Sequence, residues 1–287
     1  MSHHSFLSLI IPALVASLCP GQAAEIRNIT IPSKALQREA PLTIVLPDDY
    51  GKSEKKYPVI YFLHGHGDNN THWVSRIPLI PQLADELGFI AVCPDGQKSW
   101  YFNSYTNPAN QFETHIVQKI VPYIDKNFRT IATRDCRAIT GNSMGGHGAL
   151  YLGTRHPQLF AQIGSLSGGV NIIAWPKGFN IADSLGAYEQ NTKRWEDGCI
   201  LHILPKTKPD TYRNILISCG DQDFFLQDNK RLDEKLTQAG IRHTFTITPG
   251  AHNWTYWKAA ATPQIRTFIE AMPFGKPAPP KHQTAVK

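Results

Sequence analysis

The sequence predicts an α/β fold with a mostly parallel central sheet and helices on both faces. Three observations carry this. Short continuous apolar runs recur along the chain, with VIYFL at 59–63 and FIAVC at 89–93 the clearest. A strand covered on both faces reads this way because neither face meets water. Segments with apolar residues at helical spacing alternate with these runs, and that alternation is what parallel strands joined by helical crossovers require. Finally, 287 residues is an ordinary length for one such domain.

In chain order, residues 26–31 and 42–46 read as two early strands forming a hairpin or edge pair. The run 59–63 is a buried strand ending in His-Gly. Residues 80–87 read as a helix stopped by Gly88, and 89–93 as a strand ended by the turn Pro94-Asp95-Gly96. Residues 110–127 carry Ile116, Ile120, Tyr123 and Ile124 at helical spacing. Then come a strand at 137–140, a helix at 144–155 and a strand at 160–166. The C-terminal part continues as strand 215–218, helix 226–239, strand 243–247 and helix 254–272. Residues 170–213 break the alternation. Rich in Gly, Pro, Asn and Trp, they read as a lid-like insertion bordering the site, because loops this long in compact domains are usually functional or disordered. There is no internal repeat.

Hydrophobic residues make up 41% and charged residues 18%, an ordinary globular composition. The net charge is +6. The Lys and Arg are scattered, with no basic run interleaved with aromatics, so no nucleic-acid partner is expected. Residues 1–23 read as a signal peptide: FLSLIIPALVASL at 6–18 is the length of an h-region and too short for a membrane span. Gly21-Gln22-Ala23 offers a cleavage site, although the MSHHS start lacks Lys and Arg. The expectation is a secreted or periplasmic protein with no stable membrane insertion after signal removal. The catalytic body runs over 24–272, and 273–287 reads as a flexible Pro- and Lys-rich tail. Cys93, Cys136, Cys199 and Cys219 remain after Cys19 is removed. An oxidising compartment permits bridges, with three connectivities open, while Cys93 and Cys219 also suit small buried thiols.

Gly141-Asn142-Ser143-Met144-Gly145-Gly146 is the strongest chemical signal. It matches G-x-S-x-G between an apolar strand and a helix, where that motif must sit to lift the Ser hydroxyl above the sheet edge. A Ser hydroxyl is a weak nucleophile without a base. His252 follows an expected strand on the same sheet edge and precedes a helix. An acid must orient its imidazole. Asp223 follows the strand ILIS and a Cys-Gly turn, with Asp221 as its competitor. The order Ser, Asp, His is that of the α/β-hydrolase fold. The loop Leu63-His64-Gly65-His66-Gly67-Asp68 leaves a buried strand, and its glycines let backbone amides approach a substrate as oxyanion donors. The amide of Met144 is the second expected donor. Reading His64, His66 and His72 as metal ligands fits no trusted spacing, so neither metal nor cofactor is expected.

Five segments make the resemblance specific: YFLHGHGDNNTHW, VCPDGQKSWYFNS, GNSMGGHGALYLGTRHPQLFAQIGSLSG, ISCGDQDFF and PGAHNWTYW. In order over roughly residues 40–270, they resemble the esterase D / putative esterase family, which includes feruloyl and acetylxylan esterases. The resemblance implies Ser143, Asp223 and His252 as triad and the amides of His66 and Met144 as oxyanion hole. It also implies that Trp100 and Tyr101 lie near the acyl pocket. The expected substrate is an acyl or feruloyl ester of plant cell-wall carbohydrate, with Trp73, Trp100, Tyr101, Trp175 and Trp254 available for stacking. The alternatives are a generic short-chain carboxylesterase, an acyltransferase, or a non-catalytic binding module on the same fold.

Overall fold

The computed structural model describes residues 24–274. The expected signal peptide and residues 275–287 of the expected tail lie outside them. Eight strands form one sheet in the order β1-β2-β4-β3-β5-β6-β7-β8. The hairpin β1 (Glu25–Ser33) and β2 (Arg38–Leu46) is antiparallel, and β2 pairs antiparallel with β4 (Ile90–Pro94). From β4 through β3 (Val59–Leu63), β5 (Arg137–Gly141), β6 (Gln162–Leu166), β7 (Asn214–Gly220) and β8 (Thr244–Thr248) every pairing is parallel. The strand ends that carry a functional site in such a sheet therefore lie on one edge.

The apolar runs are central strands, as their composition demands: every residue of β3, β4, β5 and β6 is buried. One core cluster packs helix Met144–Arg155 against one face, and another packs helix Trp254–Ala271 against the other. The strand β8 differs. Four of its five residues are exposed, because it closes the sheet and pairs only with β7. No helix among the described residues is long and apolar enough to cross a membrane.

Three local features depart from the sequence reading. A short helix, His72–Arg76, follows the loop after β3. The expected helix at 110–127 forms over 112–127, but its middle, His115–Ile120, is wound as π-helix. Residues 170–213 are a packed crossover from β6 to β7 made of short helices. They contribute Trp195, Cys199, Ile200 and Leu204, all with no exposed surface, to the core.

Cys93, Cys136, Cys199 and Cys219 are all buried free thiols. For Cys93 and Cys219 the sheet order is sufficient reason. β4 and β7 are four strand spacings apart, about 19 Å, far beyond the span of a disulfide.

Two helices each carry a fully buried histidine. His147 lies on helix Met144–Arg155, where its Nε2–H donates to the Gly198 carbonyl at 2.9 Å. His115 lies in the π-helical turn with both ring nitrogens unpartnered. Burial pushes each imidazole down to about 4. An unfolded imidazole titrates near 6.5. Between those values the unfolded chain therefore binds protons that the folded chain refuses, and stability falls as pH falls. The loss should reach about 3 kcal/mol per histidine by pH 4, with none of it above pH 7. Urea unfolding at pH 7.5, 6 and 5 checks this, and a flat stability over that range refutes it.

Candidate active site

Ser143 sits at the turn between β5 and helix Met144–Arg155 with φ 53° and ψ −117°, a sparsely populated conformation for a residue with a β-carbon. The turn is held by its own backbone. The Ser143 amide donates to the Leu166 carbonyl at 2.9 Å, and the Gly145 amide to the Asn142 carbonyl at 2.7 Å. The sequence around it has no room for side chains. A β-carbon on Gly145 would lie 2.0 Å from the Leu63 carbonyl oxygen, and one on Gly141 would lie 2.4 Å from the Gly145 carbonyl. The motif glycines are thus required by close contact with the end of β3.

Three chain segments bring the expected triad together. His252 Nε2 lies 2.9 Å from Ser143 Oγ. His252 Nδ1 lies 2.9 Å from Asp223 Oδ2 and 3.1 Å from Oδ1. A carboxylate only accepts, so Nδ1 carries the proton and Nε2 is left to accept from the Ser hydroxyl. The Asp223 side chain is fully buried, and its Oδ1 also accepts from the Phe225 amide at 2.8 Å. Asp221 has a different partner: its Oδ1 accepts from the Gly250 amide at 2.9 Å and ties the turn after β7 to the His252 loop. Asn253 then caps helix Trp254–Ala271 by accepting from the Tyr256 amide at 3.1 Å, which fixes where the loop ends.

The three histidines of the early segment go to separate partners. His64 is buried. Its Nε2 accepts from the Gly96 amide at 2.7 Å, and its Nδ1–H donates to the Gly65 carbonyl at 2.8 Å. His72 Nδ1 accepts from the Asn69 amide at 3.0 Å. His66 is half-buried at the site, with Nε2 3.1 Å from Asn180 Oδ1, and burial lowers its pKa. The backbone of His66 lies in the loop after β3, between Gly65 and Gly67. Met144 is the first residue of its helix, so its amide has no intrahelical acceptor and stands at the positive end of the helix.

The expected substrate-contacting residues require a correction. Tyr101 has no exposed surface: its hydroxyl donates to the His64 carbonyl at 3.1 Å and its ring packs where Gly148 leaves space. It braces the loop after β3 from the interior and presents no surface to a substrate. Trp100 is likewise buried, edge-on to His147, with its Nε1–H donating to the Phe179 carbonyl at 2.9 Å. Trp254 is half-buried and packs edge-on against Trp73 and Trp257, of which Trp257 touches His252.

Other aromatics stand beside His252. Phe224, the residue after Asp223, is 53% exposed, and its ring centroid lies 4.3 Å from that of His252. Phe179, from the insertion, lies parallel to Phe224 at 6.5 Å with the planes 4° apart. Trp175 packs edge-on against both. Phe179 and Trp175 fall within the segment read as wall material. For Phe224 the sequence offers one signal, an aromatic directly after the expected acid; its exposure belongs to the fold.

The family model described as "Putative esterase" matches residues 33–268. An esterase of Mycobacterium tuberculosis is 30% identical over 237 residues, covering 74% of this chain and 52% of that protein. The chain thus spans about half the length of this relative. An acetyl esterase of Caldicellulosiruptor saccharolyticus is 26% identical over 252 residues, covering 81% of this chain and 93% of that one. Among solved structures, a ferulic acid esterase superposes with a TM-score of 0.74 at 26% identity, covering 87% of this chain and 99% of that chain.

Proposed function

The chain belongs to the Putative esterase family and has the α/β-hydrolase fold; from this premise we propose that it is an exported serine carboxylesterase acting on acyl or feruloyl esters of plant cell-wall carbohydrate. The observation that carries the chemistry is the chain of contacts from Ser143 Oγ through His252 to Asp223, each at about hydrogen-bond length. In this reading Ser143 Oγ attacks the ester carbonyl as its proton passes to His252 Nε2. The buried Asp223 carboxylate stabilises the imidazolium that forms. The amides of His66 and Met144 receive the charge that develops on the carbonyl oxygen. His252 then gives its proton to the departing alcohol, leaving an acyl-Ser143. Water attacks this acyl-enzyme with His252 again as base, and the free acid leaves.

The relatives named as acetyl esterase and ferulic acid esterase support this substrate class. So does the aromatic wall. An exposed aromatic ring beside the base, backed by Phe179 and Trp175, suits a planar cinnamoyl-type acyl group better than a short acetyl. A secreted or periplasmic location remains part of the proposal, resting on the 6–18 apolar run.

A substrate panel tests the class: para-nitrophenyl acetate, butyrate and octanoate, methyl ferulate, and acetylated or feruloylated xylan. Phe224→Ala tests the wall. The ring is 53% exposed, so the variant is expected to fold, which circular dichroism checks, and kcat/KM for methyl ferulate should drop about tenfold. The value for para-nitrophenyl acetate should change by less than about threefold. Equal losses on both esters would remove Phe224 from the acyl wall.

A further inference from the structure

The turn Phe179–Asn180 is unusual in its backbone and in what it joins. Both residues have positive φ, 54° and 59°, and they face another such pair, Trp100 and Tyr101 at 56° and 62°. Asn tolerates this region, but Phe and Trp rarely enter it unless the surroundings hold them there. Here the Trp100 indole donates to the Phe179 carbonyl at 2.9 Å, pinning one pair to the other. The Asn180 amide is also oriented. Its Nδ2 donates to Asp183 Oδ2 at 2.9 Å, and this leaves Oδ1 for the His66 imidazole at 3.1 Å. Because Oδ1 accepts, His66 must present Nε2–H.

His66 is the residue whose side chain this turn reaches and whose amide is read as an oxyanion donor. It lies between two glycines, and Gly67 has φ 85° with open space where a β-carbon would stand. Gly65 is fixed, its carbonyl accepting from the His64 ring and Asn142 packed against it, so the backbone freedom lies on the Gly67 side, yet an oxyanion donor acts only if it is already in place when charge develops. The imidazole is the handle by which such a loop can be held.

We propose that Asn180 is a positioning residue for ester hydrolysis: through the His66 imidazole it holds the loop after β3 so that the His66 amide faces the oxyanion above Ser143. This rests on the carboxylesterase reading above. A donor that matters only in the transition state changes kcat and leaves KM nearly alone.

The test uses Asn180→Gly, which keeps the left-handed backbone and removes the amide, and His66→Ala, which removes the imidazole and keeps the backbone N–H. With para-nitrophenyl acetate, Asn180→Gly should lower kcat about tenfold while KM stays within about twofold. The double variant should be no slower than the slower single, because both changes cut one link. Pairing Asn180→Asp with Asp183→Asn restores an acceptor for His66 and should recover most of the lost kcat. Multiplicative losses in the double variant, or wild-type kcat in Asn180→Gly while Ser143-dependent turnover persists, overturn the inference alone. Absence of Ser143-dependent turnover in the wild type overturns the carboxylesterase reading and the inference with it.

Discussion

Ser143→Ala should lower kcat for para-nitrophenyl acetate by about 10⁴-fold or more while the protein stays folded. The substitution removes one oxygen, the atom 2.9 Å from His252 Nε2. No acyl-enzyme can form without it, and the oxyanion donors and the wall are left to promote only direct attack by water. The backbone has no reason to move. Ala keeps the β-carbon that Ser143 already holds at φ 53°, and the Ser143 amide still donates to the Leu166 carbonyl. Circular dichroism and the thermal midpoint should therefore match wild type. Near-normal turnover by the folded variant would remove Ser143 as nucleophile and with it the proposed reaction.

Asp223→Asn should be nearly as damaging, with kcat down by about 10⁴-fold, while Asp221→Asn should cost less than about tenfold. The two residues stand two positions apart but do different work. Asp223 faces the imidazole with a fully buried carboxylate. An amide there can turn its Nδ2 toward the ring, which favours the wrong tautomer, and it cannot stabilise an imidazolium. Asp221 accepts from the Gly250 amide, and an Asn oxygen can do the same. The kcat of both variants on one activated ester, over pH 6–9, decides the ranking. The reverse order would move the acid to Asp221 and leave the nucleophile and base in place.

The triad was legible because its signals are local. A glycine on each side of Ser143, between a buried strand and a helix, is a requirement of the turn itself. The contact of a Gly145 β-carbon with the Leu63 carbonyl explains why those positions are small. His252 and Asp223 were found by the same kind of reading, since each follows a strand that had to end on the same edge of a parallel sheet. Spacing does not separate Asp223 from Asp221. Both lie in one turn, and only the folding of that turn against Gly250 separates their partners.

The sequence alone determined the layered α/β architecture, the succession of strands and helices along the chain, and the three side chains that meet at the sheet edge. All of these follow from periodicity and turn chemistry over a few neighbouring residues. Tertiary structure decided which aromatics form walls and which form supports. The family resemblance implies that Tyr101 and Trp100 lie near the acyl pocket, but the space above Gly148 and the carbonyls of His64 and Phe179 draw them into the interior. Phe224 meets Phe179 at a sequence separation of 45, and Asn180 meets His66 at one of 114. Contacts of that range depend on how a crossover packs onto a sheet. That packing is set by the sum of many weak interactions along residues 170–213, and it leaves no periodic mark in the chain.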